Sequence, residues 1–97
     1  MSYDMDIGNE YFNYTYNVAE MWYDCFKEKG IREIYGKTGS EAVIILRTLR
    51  CHMEDNSKGL RDMEPSNGWG SFDGALEFVT KLIAASLRNP NALWEGD

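Results

Sequence analysis

Two stretches at the start of the chain alternate apolar and polar residues: Tyr3, Met5 and Ile7 against Asp4 and Asp6, then Phe12, Tyr14 and Tyr16 against Asn13, Thr15 and Asn17. A period of two puts successive side chains on opposite faces of a strand. Gly8-Asn9 lies between the stretches, a pair suited to the positive φ angles of tight hairpin turns. Residues 2–16 therefore predict a β-hairpin with one face of Tyr, Phe, Met and Ile. Two strands alone are marginal in water, so that face must pack on helices or on another subunit.

From residue 18 the period changes to that of a helix. Val18, Met21, Trp22, Cys25 and Phe26 recur at i, i+3, i+4, i+7 and i+8 behind Asn17 as a cap, and Gly30 ends this first helix in a left-handed conformation. Ile31, Ile34 and Tyr35 form an apolar connector up to Gly36. Thr38 and Glu41 have capping-box spacing for a second helix, which carries Ala42, Ile45, Leu46, Leu49 and Met53 on one face and ends near Glu54. Residues 55–71 are rich in turn formers and predict a long loop holding one short helical turn around Leu60–Met63. Ser71 then caps a third helix with the stripe Phe72, Ala75, Leu76, Val79, Leu82, Ile83, Ser86 and Leu87, which Asn89-Pro90 stops. In the polar tail, Leu93 and Trp94 are expected to dock back. The pattern predicts a single domain over residues 1–97, α+β and mainly α: an N-terminal β-hairpin followed by three helices.

Composition agrees with a folded domain and narrows its partners. At 43% hydrophobic and 27% charged, the chain has enough apolar residues to offset chain entropy, and at this length it buries roughly 60–65% of its unfolded surface. Sixteen acidic against ten basic residues give a net charge of -6, which disfavours direct contact with nucleic acid or an anionic membrane and suits a basic partner. The first residues lack the basic segment and apolar run of a signal peptide, and no stretch approaches 18 apolar residues, so a cytoplasmic protein is expected. Cys25 and Cys51 should then stay reduced.

Candidate chemistry is sparse. Gly36-Lys37-Thr38 looks like the end of a phosphate-binding loop, but the glycine required five positions earlier is Ile31 and the preceding segment reads as helix. What remains is weaker. Lys37-Thr38-Gly39-Ser40 and Asn67-Gly68-Trp69-Gly70-Ser71 each open a helix, and free N–H groups at such ends attract anions while glycine lets a ligand approach the backbone. Trp69 could stack on a base. Asn13, Thr15 and Asn17 add a row of amide and hydroxyl groups on one strand face. The ordinary alternative is that these segments are caps, turns and solvated polar faces.

His52 is the one histidine and adjoins Cys51, but neighbours on a helix point about 100° apart, and two cysteines with one histidine fall short of a four-ligand metal site. A Cys25–His52 nucleophilic pair places the thiol on an apolar stripe, where a small buried hydrophobe is expected. The loop carboxylates Glu54, Asp55, Asp62 and Glu64 lack calcium-loop spacing and are expected to be solvated. No cofactor, no metal and no catalytic residue is predicted.

Taken together, Asn13-Tyr14-Thr15-Tyr16-Asn17-Val18, the stretch Gly30 to Glu41 with its Gly-Ile-Arg start and Tyr-Gly-Lys-Thr-Gly core, Pro65-Ser66-Asn67-Gly68-Trp69-Gly70 with Gly74-Ala75, and Pro90 with Trp94 to Asp97 resemble a family of small proteins encoded by bacteriophages and prophages. The resemblance spans most of the chain and carries no activity over. It implies action on host machinery, such as antiviral defence, either by sequestering a small molecule or by occupying a protein surface.

Two binding modes follow. Sequestration predicts a polar and aromatic pocket near Asn13, Thr15, Lys37, Thr38, Asn67 and Trp69 for a small polar or nucleotide-like ligand, with the two helix-opening loops converging on one cleft. Inhibition predicts a contiguous acidic surface that imitates nucleic acid toward a basic host protein, although the acidic residues are spread along the chain. A structural virion component is a third reading. The open edges of a two-stranded hairpin, with no lysine on its second strand, further predict a homodimer or higher symmetric oligomer.

Overall fold

A computed structural model describes residues 2–97. Strands β1 (Ser2–Ile7) and β2 (Glu10–Thr15) pair antiparallel, with Tyr3 opposite Tyr14, Met5 opposite Phe12 and Ile7 opposite Glu10. The predicted alternation holds: Tyr3, Met5 and Ile7 are buried, while Asp6, Tyr11 and Asn13 are exposed. In the two-residue turn only Gly8 takes a positive φ, +59°, the first central position at which a type II′ hairpin needs glycine.

The first helix is shorter than its periodicity predicts. A 3-10 turn, Tyr16–Val18, leads into α1 (Ala19–Tyr23). Asn17 lies inside that turn and caps nothing; its own N–H donates to Thr15 Oγ1 at 3.3 Å, and α1 starts without a side-chain cap. Beyond Asp24 the chain winds on through isolated turns, Phe26 N–H to Trp22 O at 3.0 Å and Gly30 N–H to Phe26 O at 2.8 Å. These keep Cys25 and Phe26 partly buried without a regular helix. Gly30, at φ +58°, then tucks under the Tyr23 and Trp22 side chains and opens a second 3-10 turn, Gly30–Ile34, whose Ile31 and Ile34 enter the core.

Helix α2 (Gly39–Asp55) begins as predicted. Thr38 Oγ1 accepts from the Glu41 N–H at 3.2 Å, and Glu41 Oε1 accepts from the Thr38 N–H at 2.9 Å. A five-residue helix α3 (Ser57–Arg61) starts three residues before the predicted turn, anchored by buried Leu60. Ser71 caps α4 (Phe72–Arg88), its Oγ accepting from the Gly74 N–H at 3.0 Å. The apolar stripe of α4 is wider than predicted toward the hairpin, where Phe78 is buried and stacks on Tyr14 at 5.5 Å between ring centroids, whereas Leu87 lies outside it, 57% exposed.

Gly39 at the start of α2 lies against the Ser86 and Asn89 carbonyls at the end of α4. The two long helices therefore run antiparallel. The hairpin lies along α4 as well: Arg88 and Asn89 hold the Glu10 carboxylate beside the turn, with Asn89 Nδ2 donating to Oε2 at 2.7 Å, and Tyr14 meets the other end of α4 at Ser71.

The tail does more than dock. Glu95–Gly96 forms β3, antiparallel to β1, so the sheet has three strands in the order β2-β1-β3. Trp94 is fully buried and its indole N–H donates to Ser86 Oγ at 2.9 Å, but Leu93 stays 53% exposed. Arg32 closes the tail by donating from Nε to the Asp97 main-chain oxygen at 3.0 Å while lying over the Tyr3 and Tyr16 rings.

Two grounds for expecting assembly are thereby altered. β3 covers part of the β1 edge, and Phe12 and Tyr14 are half-buried by the chain's own Trp94, Phe78 and Trp22. The outer edge of β2 keeps no strand partner among the described residues. No helix among them is long and apolar enough to cross a membrane.

Candidate ligand-binding cleft

The long loop between α3 and α4 reaches the hairpin through Gly70. At φ +98°, and with a would-be Cβ colliding with Thr15 Cγ2 and Val18 Cγ1, this position admits no side chain, so the backbone presses directly on the end of β2. Tyr14 completes the contact: its hydroxyl accepts from the Ser71 N–H at 3.3 Å. At the loop tip the Trp69 N–H donates to Asn67 Oδ1 at 2.9 Å, an Asx turn that fixes the stretch between them.

Between loop and hairpin lies a solvent-open cleft of about 670 Å³, lined by Ser2, Asn13, Tyr14, Thr15, Asn17, Asn67, Gly68, Trp69 and Gly70. Small-ligand sites commonly occupy about 300–1,000 Å³. Of the chain's three tryptophans, Trp22 and Trp94 are fully buried, whereas Trp69 is 68% exposed at the cleft.

Four of the six expected site residues, Asn13, Thr15, Asn67 and Trp69, thus meet, and Lys37 and Thr38 do not. The Lys37-Thr38 turn sits at the C-terminal end of α4, whereas the cleft loop leads into its N-terminus; the 17 residues between rise about 25 Å. Antiparallel packing of α2 on α4 sends their N-termini to opposite ends of the molecule, so loops with the same local chemistry cannot share a site. Thr38 is spent on the capping box, and Lys37 is exposed, its carbonyl accepting from the Trp94 N–H at 2.9 Å.

The expected anion sites at the helix starts are also filled from within. On α2 the Gly39 N–H donates to Ala92 O at 3.0 Å, Ser40 to Pro90 O at 3.1 Å and Glu41 to Thr38 Oγ1. On α4 the Phe72 N–H donates to Glu64 Oε2 at 2.6 Å and Gly74 to Ser71 Oγ. The carboxylate of Glu64, expected to be merely solvated, stands where an anionic ligand would dock.

The described cleft lining contains no charged side chain. Its polar groups are unequal. Asn67 has used its amide oxygen on Trp69 and offers its NH2; Thr15 Oγ1 accepts from Asn17 N–H and keeps its own hydrogen to donate. Asn13 and Asn17 make no side-chain hydrogen bond among the described residues and present both a donor and an acceptor. Compared with protein-family models, curated proteins and solved structures, the chain finds no match.

Tyr14, expected only on the apolar face of the hairpin, joins the site, as do Asn17 and Gly70, which belonged to the candidate strand row and loop but not to the six expected site residues. Asn17 was expected to cap a helix that starts two residues later, and its release from that duty is what frees its amide. The row of Asn13, Thr15 and Asn17 on one strand face was the available signal; nothing local showed that the loop would land beside it.

His52 and Cys25 do not form a pair. His52 Nε2 lies 2.8 Å from Asp24 Oδ2, and its Nδ1 is 3.5 Å from the Asn56 amide nitrogen. Burial, and next the charge of Asp24, push the Cys25 thiol up, toward the protonated, poorly nucleophilic form. Both cysteines are free, and no group of three or more potential metal ligands occurs among the described residues.

Proposed function

We propose that this protein is a non-enzymatic binder that sequesters a small polar ligand in the cleft between the end of β2 and the Asn67–Gly70 loop. One observation carries the reading: two segments more than 50 positions apart, each rich in uncharged hydrogen-bonding groups, are pressed together by a side-chain-free contact at Gly70 and leave an indole standing in solvent beside them. A ring kept out of the core forfeits the burial that Trp22 and Trp94 obtain, which a bound partner would restore. If the chain is of the phage-encoded kind that its motifs resemble, this binding takes place in the host cytoplasm and serves infection by removing a small molecule used in defence. Assembly through the outer edge of β2, which borders the cleft at Asn13 and Thr15, would wall its open side with a second copy.

The test is mass spectrometry of small molecules released when the purified protein is denatured, alongside native mass for subunit count. A ligand recovered from the parent and lost from Trp69→Ala supports the reading. A parent that releases nothing, and whose native mass equals the bare chain or a multiple of it, refutes it. As a binder the protein keeps its biological activity when Cys25 is replaced by serine and His52 by alanine.

A further inference from the structure

Taking the cleft as the binding site proposed above, we infer that its ligand is held by an uncharged nucleobase, stacked on Trp69 and hydrogen-bonded by the carboxamides of Asn13, Asn17 and Asn67, with any phosphate left outside. Charge decides against the phosphate. The nearest helix start, that of α4, already holds the Glu64 carboxylate on the Phe72 N–H, and a phosphate approaching it would meet that negative charge. Lys37, the cation that sequence placed with this site, is a helix length away, and the protein carries a net charge of -6. An anion would thus enter an unfavourable field with nothing in the described lining to neutralise it.

The remaining groups suit a flat, neutral ring with a mixed hydrogen-bonding edge. The Trp69 main chain is fixed by its N–H bond to Asn67, its exposed indole offers a face, and base stacking on such a ring tolerates any base. Each carboxamide presents a donor and an acceptor in one plane, the arrangement that reads a base edge. Asn67 has one lone pair of its amide oxygen engaged by the Trp69 N–H, so its unengaged NH2 is the group that favours an acceptor on the bound edge. Sugar hydroxyls, each donor and acceptor at once, are best held by carboxylates, and the described lining has none.

Calorimetric titration with adenosine, guanosine, cytidine and uridine, with their 5′-monophosphates and with an N-acetylglucosamine trimer separates the possibilities. At least one nucleoside should bind as tightly as its monophosphate or more tightly, with an affinity that changes less than about 2-fold between 50 mM and 500 mM salt. Trp69→Ala should weaken that binding about 10-fold or more, and Trp69→Phe should restore most of it. The ring is 68% exposed, so both variants fold, as far-UV circular dichroism will verify. A monophosphate preferred 10-fold over its nucleoside and weakened by salt would overturn the inference. So would binding of the saccharide alone, in which case the cleft remains the site and only its ligand class is wrong. If none of the probes binds while a ligand is released from the purified protein, the base assignment fails and sequestration stands; if neither occurs, both fail.

Discussion

Replacing Trp94 by alanine should remove about a fifth or more of the protein's stability. The indole is fully buried, packs against Phe12 with 6.0 Å between ring centroids, and donates to Ser86 Oγ at 2.9 Å, which in turn donates to Leu82 O at 2.8 Å. Burying an aromatic side chain removes about 150–250 Å² from water, worth about 4–6 kcal/mol at about 25 cal/mol per Å², and measured aromatic-to-alanine losses run about 3–5 kcal/mol. A domain of this size is stable by about 5–15 kcal/mol. Trp94→Phe should cost less, about 1–2 kcal/mol, since it keeps most of the apolar contact and loses one neutral hydrogen bond. Urea unfolding followed by far-UV circular dichroism measures both without the ambiguity of three tryptophans. Because Trp94 also pairs its backbone with Gly36 and Lys37, the alanine variant should release β3 and become cleavable by protease after Asn89. A Trp94→Ala midpoint within about 0.5 kcal/mol of the parent would show that the tail lies outside the cooperative unit, and would refute its role in the core.

Two glycines make opposite predictions from one substitution. Gly39→Ala should lower stability by about 1–3 kcal/mol despite the better helix propensity, because a Cβ there meets the rigid Ser86 and Asn89 carbonyls; Gly59→Ala, which meets nothing, should raise it by about 0.5–1 kcal/mol, both read by thermal unfolding. Glu64→Ala should vacate the α4 N-terminus, so that inorganic phosphate raises the melting temperature of the variant and not of the parent. Acid should destabilise the protein in a definite window: Glu10, lowered first by its bond with Arg88, and Glu41, lowered first by the Thr38 backbone N–H, contribute stability that is present above their ordinary range near pH 4 and lost as pH falls through their depressed values. Glu41→Gln should flatten that acid limb in urea titrations repeated from pH 7 to pH 3.

Legibility in the sequence follows how far an element depends on distant residues. The hairpin, α2 and α4 are set by alternation, one capping box, the Ser71 cap and turn residues within a few positions, and their structure matches those signals. The first helix does not, since periodicity marks which side chains are buried, not whether the backbone between them is regular; Cys25 and Phe26 reach the core through turns. β3 carries no local signal at all. Two residues become a strand only because Trp94 anchors them beside β1. Phe78 escaped the predicted stripe because its partner, Tyr14, lies on the hairpin and widens the buried face of α4.

The site divides along the same line. Each helix-opening loop has the composition of an anion site, and each turns out to serve the fold, one capped by the tail's carbonyls and the other by Glu64. Helix N-termini leave backbone donors that must be paired somewhere, and a chain of this size has polar groups enough nearby to do it, so the feature that looks most like phosphate chemistry in sequence is the first to be consumed in folding. What escapes consumption is the set of groups that folding leaves over: Asn13 on an outward strand face, Asn17 displaced from its expected cap, and Trp69 held on a loop by a backbone bond rather than by core contacts. None of the three is distinctive alone. Their assembly depends on Gly70, where the absence of a single side chain lets the loop reach β2. A substitution there, Gly70→Ala, should therefore abolish ligand retention by lifting the loop while leaving the Trp22 and Trp94 core intact, and unchanged retention would mean that the cleft is not built by that contact.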